Sequence, residues 1–135
     1  MDTNAWINAF HPGEEGSQDS LAFLETIRQT GEPMISPILL LPELAAVLAR
    51  GGEKPDNVLR FVQSVQDLLH QVFILPDETT AQVAIELAQQ GKLRGADAGY
   101  GAVARRFGSV LVPHDREQFE RLRGVIQVAL PKEMA

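Results

Sequence analysis

The stretch Val110-Leu111-Val112-Pro113-His114-Asp115-Arg116-Glu117-Gln118-Phe119 changes its hydrophobic pattern from one end to the other. Its first three side chains form the short continuous apolar run expected of a strand buried on both faces. Asp115 then opens a helix predicted to reach Leu122, with Gln118 at the N3 position of a capping box. A strand that passes through a short polar turn into a helix is the half-unit of a parallel α/β sheet, so the surrounding sequence should repeat the alternation.

It does so on both sides. Downstream, Val125–Leu130 reads as a last strand before Pro131. Upstream, Gly95 to Phe107 reads as a helix of small residues closed by Gly108, and Asp77 is a plausible N-cap for a helix running to about Gln90 and stopped by Gly91. Val72–Leu75 is strand-like. Pro55 opens a helix with Val58, Val62, Val65 and Leu69 in one stripe down to His70. Ile38–Arg50 is an apolar helix in which Pro42 is tolerable only near the first turn, and Gly51-Gly52 ends it. Pro33–Pro37 is extended, and Ser17–Thr30 is a helix stopped by Gly31. With no repeat, low-complexity segment or linker, the 135 residues are expected to form one domain over 1–135. Ligands of such sheets gather at the carboxyl ends of the strands.

Composition limits the function classes. Hydrophobic residues make up 44% and charged residues 22%, close to the soluble globular average, and Pro42 and Glu43 break the longest apolar run, so no segment suits a bilayer crossing. The start lacks the basic and apolar regions of a signal peptide and the chain has no cysteine, which excludes a thiolate site and fits a cytoplasmic location. A net charge of −6 argues against non-specific attraction to a phosphate backbone. The average conceals two surfaces, because residues 1–90 sum to −9 and residues 91–135 to +3. The mean charge therefore describes neither surface.

Individual carboxylates then come under scrutiny. Glu43 has Leu39, Leu40, Ala46 and Val47 as its helical neighbours, an apolar face on which an ionised carboxylate needs a cation or hydrogen-bond donors. Asp2, beside Thr3 and Asn4, belongs to a cluster of small oxygen-bearing side chains suited to a metal or phosphate, or to capping a helix. Asp97 sits in the first turn of a helix whose glycines and alanines leave room for close approach. Asp115 follows a strand and taken alone reads as a cap. Asp2, Asp97 and Asp115 nevertheless each fall near the binding crevice of an α/β sheet. His11, His70 and His114 lack ligand spacing, no phosphate-loop, dinucleotide or nucleophile-elbow motif is present, and one tyrosine with one tryptophan cannot build a base-stacking platform.

The opening Asp2-Thr3-Asn4, Glu43 in Leu41-Pro42-Glu43-Leu44, the run Leu93-Arg94-Gly95-Ala96-Asp97-Ala98 and the stretch Val110–Phe119 together resemble the PIN-domain family. Within it, the chain is most similar to the single-domain ribonuclease toxins of type II toxin–antitoxin pairs, the virulence-associated protein C group. The resemblance implies a three-layer α/β/α sandwich with a central, mostly parallel sheet and an acidic pocket for magnesium or manganese. Asp2, Glu43, Asp97 and Asp115 match the acidic quartet, and Asn4 matches the small polar residue that accompanies the first aspartate. It also implies an RNA substrate cut to a 5′-phosphate and a 3′-hydroxyl, a cognate antitoxin and a homodimer.

Two positions depart from the pattern. Only Met1 precedes Asp2, so the first strand is expected to be truncated or to lack its upstream residues in this sequence, and Pro113 stands where a threonine or serine is usual. Arg94, Arg105, Arg106 and Arg116 are the basic residues nearest the acidic positions in sequence and are candidates for the RNA backbone. The competing expectation is an interaction module, a PIN fold without catalysis that serves dimerisation or antitoxin binding. A phosphotransferase of the haloacid-dehalogenase kind would need an aspartate at position 4, where Asn4 stands.

Overall fold

The computed structural model describes residues 1–113 and 116–134. Its elements in chain order are α1 (Thr3–Ala9), α2 (Ser17–Thr30), β1 (Met34–Pro37), α3 (Leu40–Arg50), α4 (Pro55–Gln66), β2 (Gln71–Ile74), α5 (Glu78–Gly91), α6 (Gly95–Arg106), α7 (Arg116–Leu122) and α8 (Pro131–Met134). The arrangement is mostly helical with a small parallel sheet, an α/β fold.

Local chemistry sets the boundaries. Asp2 caps α1 by accepting the Ala5 N–H at 2.9 Å, and Asp77 caps α5 by accepting the Thr80 N–H at 2.7 Å. Gly31 ends α2 with φ 71°, a left-handed geometry that costs glycine little, and its N–H bonds the Ile27 carbonyl. Pro55 occupies the start of α4, where a missing N–H is harmless. Pro42 lies in the first turn of α3 for the same reason.

β1 and β2 pair in parallel, with Met34 opposite Gln71 and Pro37 opposite Ile74, and α3 and α4 form the crossover between them. The two apolar runs near the C-terminus are much shorter as strands than their sequences suggest. Val110–Val112 and Val125–Leu130 meet in a single parallel bridge, Leu111 with Val128. Pro113 has no N–H with which to extend the ladder, Val110 is 37% exposed, and Pro131 already begins α8. Ahead of α1, one backbone bond runs from the Asp2 N–H to the Val112 carbonyl at 3.1 Å. Asp2 therefore stands beside the end of a strand, although its own next residues are helical.

The core collects Trp6, Leu40, Leu44, Val65, Val112 and Leu122, all buried. Burying each large aliphatic side chain contributes roughly 1.5–3 kcal/mol. Helix α6 packs closely on α5 because Gly101 lacks a side chain: a Cβ there would approach Leu87 Cδ1 to 3.1 Å. Its small residues thus serve helix packing, and that packing fixes how the first turn of α6 is presented. Among the described residues, no helix is long and apolar enough to cross a membrane.

Candidate functional site

One cavity of about 560 Å³ gathers side chains from α1, α3, α6 and α7. Asp2, Glu43 and Asp97 all line it, although they lie far apart in sequence and come from three different elements. Asp2 is 3% exposed, and its position is fixed twice, by its side-chain cap on α1 and by its backbone bond to Val112. Asp97 is half-buried in the first turn of α6, where the helix dipole favours a negative charge. Asn4 is exposed at the rim. Asp115 lies outside the described residues.

Hydroxyl groups meet Glu43, the carboxylate that has no polar neighbour on its own helix face. Thr3 Oγ1 and Tyr100 OH both donate to Glu43 Oε2, the latter at 3.0 Å, and the two hydroxyl oxygens lie 2.7 Å apart. Each hydroxyl has a single hydrogen, so two protons serve three close oxygens and the group is tightly constrained. Burial pushes the Tyr100 phenol well above its ordinary value; the Thr3 hydrogen bond opposes this, and the charges of Glu43 and Asp2 add to it. Tyr100 stays a neutral donor at any physiological pH.

The basic candidates divide. Arg94, the N-cap residue of α6, lines the cavity. Arg105 instead donates to the Val125 carbonyl at 2.9 Å and pairs with Glu86 at 3.9 Å. Arg106 binds Asp77 and Thr80 and lies over the Phe107 ring. Arg116 is exposed and is not part of the cavity lining. In their place Arg50 and Arg121 line the cavity, the latter paired with Glu117 at 2.5 Å.

Sequence reasoning missed Arg50, Tyr100 and Arg121 as residues of the cavity, and the bond from Thr3 to Glu43. Helical spacing contained a signal for two of them, since Arg50 is two turns beyond Glu43 on α3 and Tyr100 is one turn beyond Asp97 on α6. Thr3 adjoins Asp2, yet nothing in the sequence predicts its bond to a residue forty positions away. Gln118 was legible only as a cap; it is buried and lines the cavity as well.

An oxygen-only donor set of carboxylates suits a hard divalent cation. Among the described residues, no three acidic or histidine side chains are grouped as a complete metal-binding cluster.

Comparison with known proteins bears on the fold. Curated protein sequences give no match. Among solved structures, FitAB bound to an IR36 DNA fragment is similar at 20% identity and a TM-score of 0.72, over 97% of this chain and 93% of the other. VapBC-1 from nontypeable Haemophilus influenzae is similar at 17% identity and a TM-score of 0.71, over 96% and 95%. FitAcB from Neisseria gonorrhoeae gives 20% identity and a TM-score of 0.72, over 96% and 95%. The sequence profile of the PIN domain matches residues 1–125, nearly the whole chain. This protein belongs to the PIN-domain family.

Proposed function

We propose that this protein is a divalent-metal-dependent endoribonuclease and the toxin of a toxin–antitoxin pair. The observation that supports it most is the convergence of Asp2, Glu43 and Asp97 on one cavity that Arg50, Arg94 and Arg121 also line. Like charges brought together in this way need a cation, and the nearby guanidinium groups suit a phosphodiester.

Asp2 and Asp97 would hold magnesium or manganese, with Asp115 completing the acidic set that the family resemblance implies. The chemistry supplied on metal binding is activation of a water and neutralisation of charge on the scissile phosphate. Glu43, fixed through Oε2 by Thr3 and Tyr100, presents its carboxylate to the cavity in one orientation and can hold the proton of the attacking water. Arg50 and Arg94 grip the backbone of the RNA. The family resemblance gives the products as a 5′-phosphate and a 3′-hydroxyl, and the partners as a second copy of the chain and an antitoxin. The −9 charge of residues 1–90 suits an antitoxin segment with basic side chains.

Incubation of the purified protein with structured RNA and manganese, beside Asp2→Asn and Asp97→Asn, tests the reading. Each substitution should reduce cleavage by on the order of 10³-fold, since several kcal/mol of transition-state stabilisation depend on the metal. Equal cleavage by all three proteins overturns it. Pro113, fully buried and without a hydroxyl, favours the second reading of a non-catalytic interaction module. Calorimetry showing no magnesium or manganese binding, with no cleavage, would select that one.

A further inference from the structure

Four residues of α3 line the acidic cavity: Glu43, Ala46, Val47 and Arg50. Their spacing puts them in one row on one face of the helix, with Glu43 and Arg50 two turns and about 10 Å apart along its axis. The row is charged at both ends and apolar between them. Ala46 is exposed and Val47 half-buried, and neither side chain can donate or accept a hydrogen bond.

The two ends differ in how far they are already engaged. Glu43 is held by Thr3 and Tyr100, and across the cavity Arg121 is held by Glu117 and the Lys92 carbonyl. Arg50 is exposed at the last position of α3 and makes no hydrogen bond or ion pair among the described residues. A solvent-facing guanidinium can turn to a ligand without disturbing the core, and its fork of donors matches two oxygens of one phosphate. An RNA strand shows the same alternation as the row: a charged phosphate, an uncharged sugar, then the next phosphate. We propose that the α3 row spans one nucleotide, with the phosphate to be cut at the Glu43 end, its sugar over Ala46 and Val47, and Arg50 on the neighbouring phosphate. This rests on the ribonuclease reading, and it narrows the substrate to strands that carry a second phosphate next to the bond that is cut.

RNA hexanucleotides in which single phosphates are replaced by uncharged methylphosphonates test it, the bond cut being read from the product lengths. In wild type, neutralising the phosphate on one side of that bond should lower kcat/KM about fivefold, and neutralising more distant ones should not. Arg50→Gln should lose the same factor on the unmodified strand and nothing further on that one methylphosphonate, because the two changes remove a single contact. Dinucleotides lack the neighbouring phosphate and should be cut equally by both proteins. A wild type indifferent to that neutralisation overturns the subsite, and so does a loss in Arg50→Gln that persists undiminished on the methylphosphonate. A cation that serves only the carboxyl end of α3 would lower the melting temperature of Arg50→Gln and leave every cleavage rate unchanged, which also overturns it. In each of these cases RNA is still cut and the ribonuclease reading stands. Wild-type protein that cuts neither these strands nor structured RNA with manganese sinks that reading, and the subsite with it.

Discussion

The two walls of the cavity are built on opposite principles. On the side formed by α1, α3 and α6, Thr3, Glu43 and Tyr100 satisfy one another, Asp2 is held by both its backbone and its side chain, and the helices behind them are packed into the core. On the side formed by α7, Glu117 and Arg121 pair at the surface, both substantially exposed, and the buried Gln118 Nε2 has no partner among the described residues. One wall is cross-linked by hydrogen bonds between side chains from three elements; the other rests on one short helix and a surface ion pair.

If that division holds, the largest effects come from breaking the cross-linked wall. Tyr100→Phe removes one of the two hydroxyls on Glu43 and, on the ribonuclease reading, should reduce RNA cleavage about 10- to 100-fold, the range for losing a group that orients a functional side chain. The same change should cost about 1 kcal/mol in denaturant unfolding. It should also alter the pH dependence. The folded-state pKa of Tyr100 is raised, so its contribution to stability is present below its ordinary value near 10 and is lost as pH rises above it. Wild type should therefore lose stability through the alkaline range more steeply than Tyr100→Phe. Identical alkaline unfolding curves would contradict the buried phenol.

Smaller effects should separate the basic residues of the cavity from those outside it. Arg50→Gln and Arg94→Gln should each weaken RNA binding a few-fold and lower the salt-dependence slope by about 1. Arg106→Gln should leave both unchanged, since that guanidinium is engaged by Asp77 and Thr80. Titrating RNA binding against salt concentration distinguishes them, and an equal loss of slope in Arg106→Gln would mean that the substrate surface extends beyond the cavity.

The smallest effect concerns that same Asp77–Arg106 pair. The backbone N–H and hydroxyl of Thr80, followed by Arg106, hold the Asp77 carboxyl down to about 2. A lowered carboxyl contributes stability above its ordinary value near 3.8 and loses it as pH falls towards 2. Asp77→Asn keeps an N-cap side chain and should flatten the acid limb of the stability curve slightly. RNA cleavage at neutral pH should not change. Thermal melts between pH 2 and 5 read the difference.

Most helices were legible because their signals are local. The boundaries of α2 and α6 follow from Gly31 and from the small-residue run after Gly95, and Asp77 is recognisable as a cap by its place ahead of α5. The C-terminal strands were overestimated because apolar runs advertise burial, whereas ladder length depends on whether a partner strand offers matching N–H and carbonyl groups; Pro113 removes one such group. Helix α1 went unread because Asp2-Thr3-Asn4 suggests ligand chemistry and capping equally, and here Asp2 is a cap that also faces the cavity. Glu43 was conspicuous because burial without a local partner is a nearest-neighbour anomaly. Its partners were not, because Thr3 and Tyr100 reach it only through tertiary packing.

The single hydrogen bond from the Asp2 amide to Val112 makes the first acidic residue depend on the least reinforced part of the sheet. Leu111 and Val112 are nevertheless buried in the core, so side-chain packing rather than ladder length holds this corner. The distance from Asp2 to Asp97 is thereby tied to the volume of apolar side chains that touch neither carboxylate, and a smaller residue at position 112 would be felt at the cavity wall.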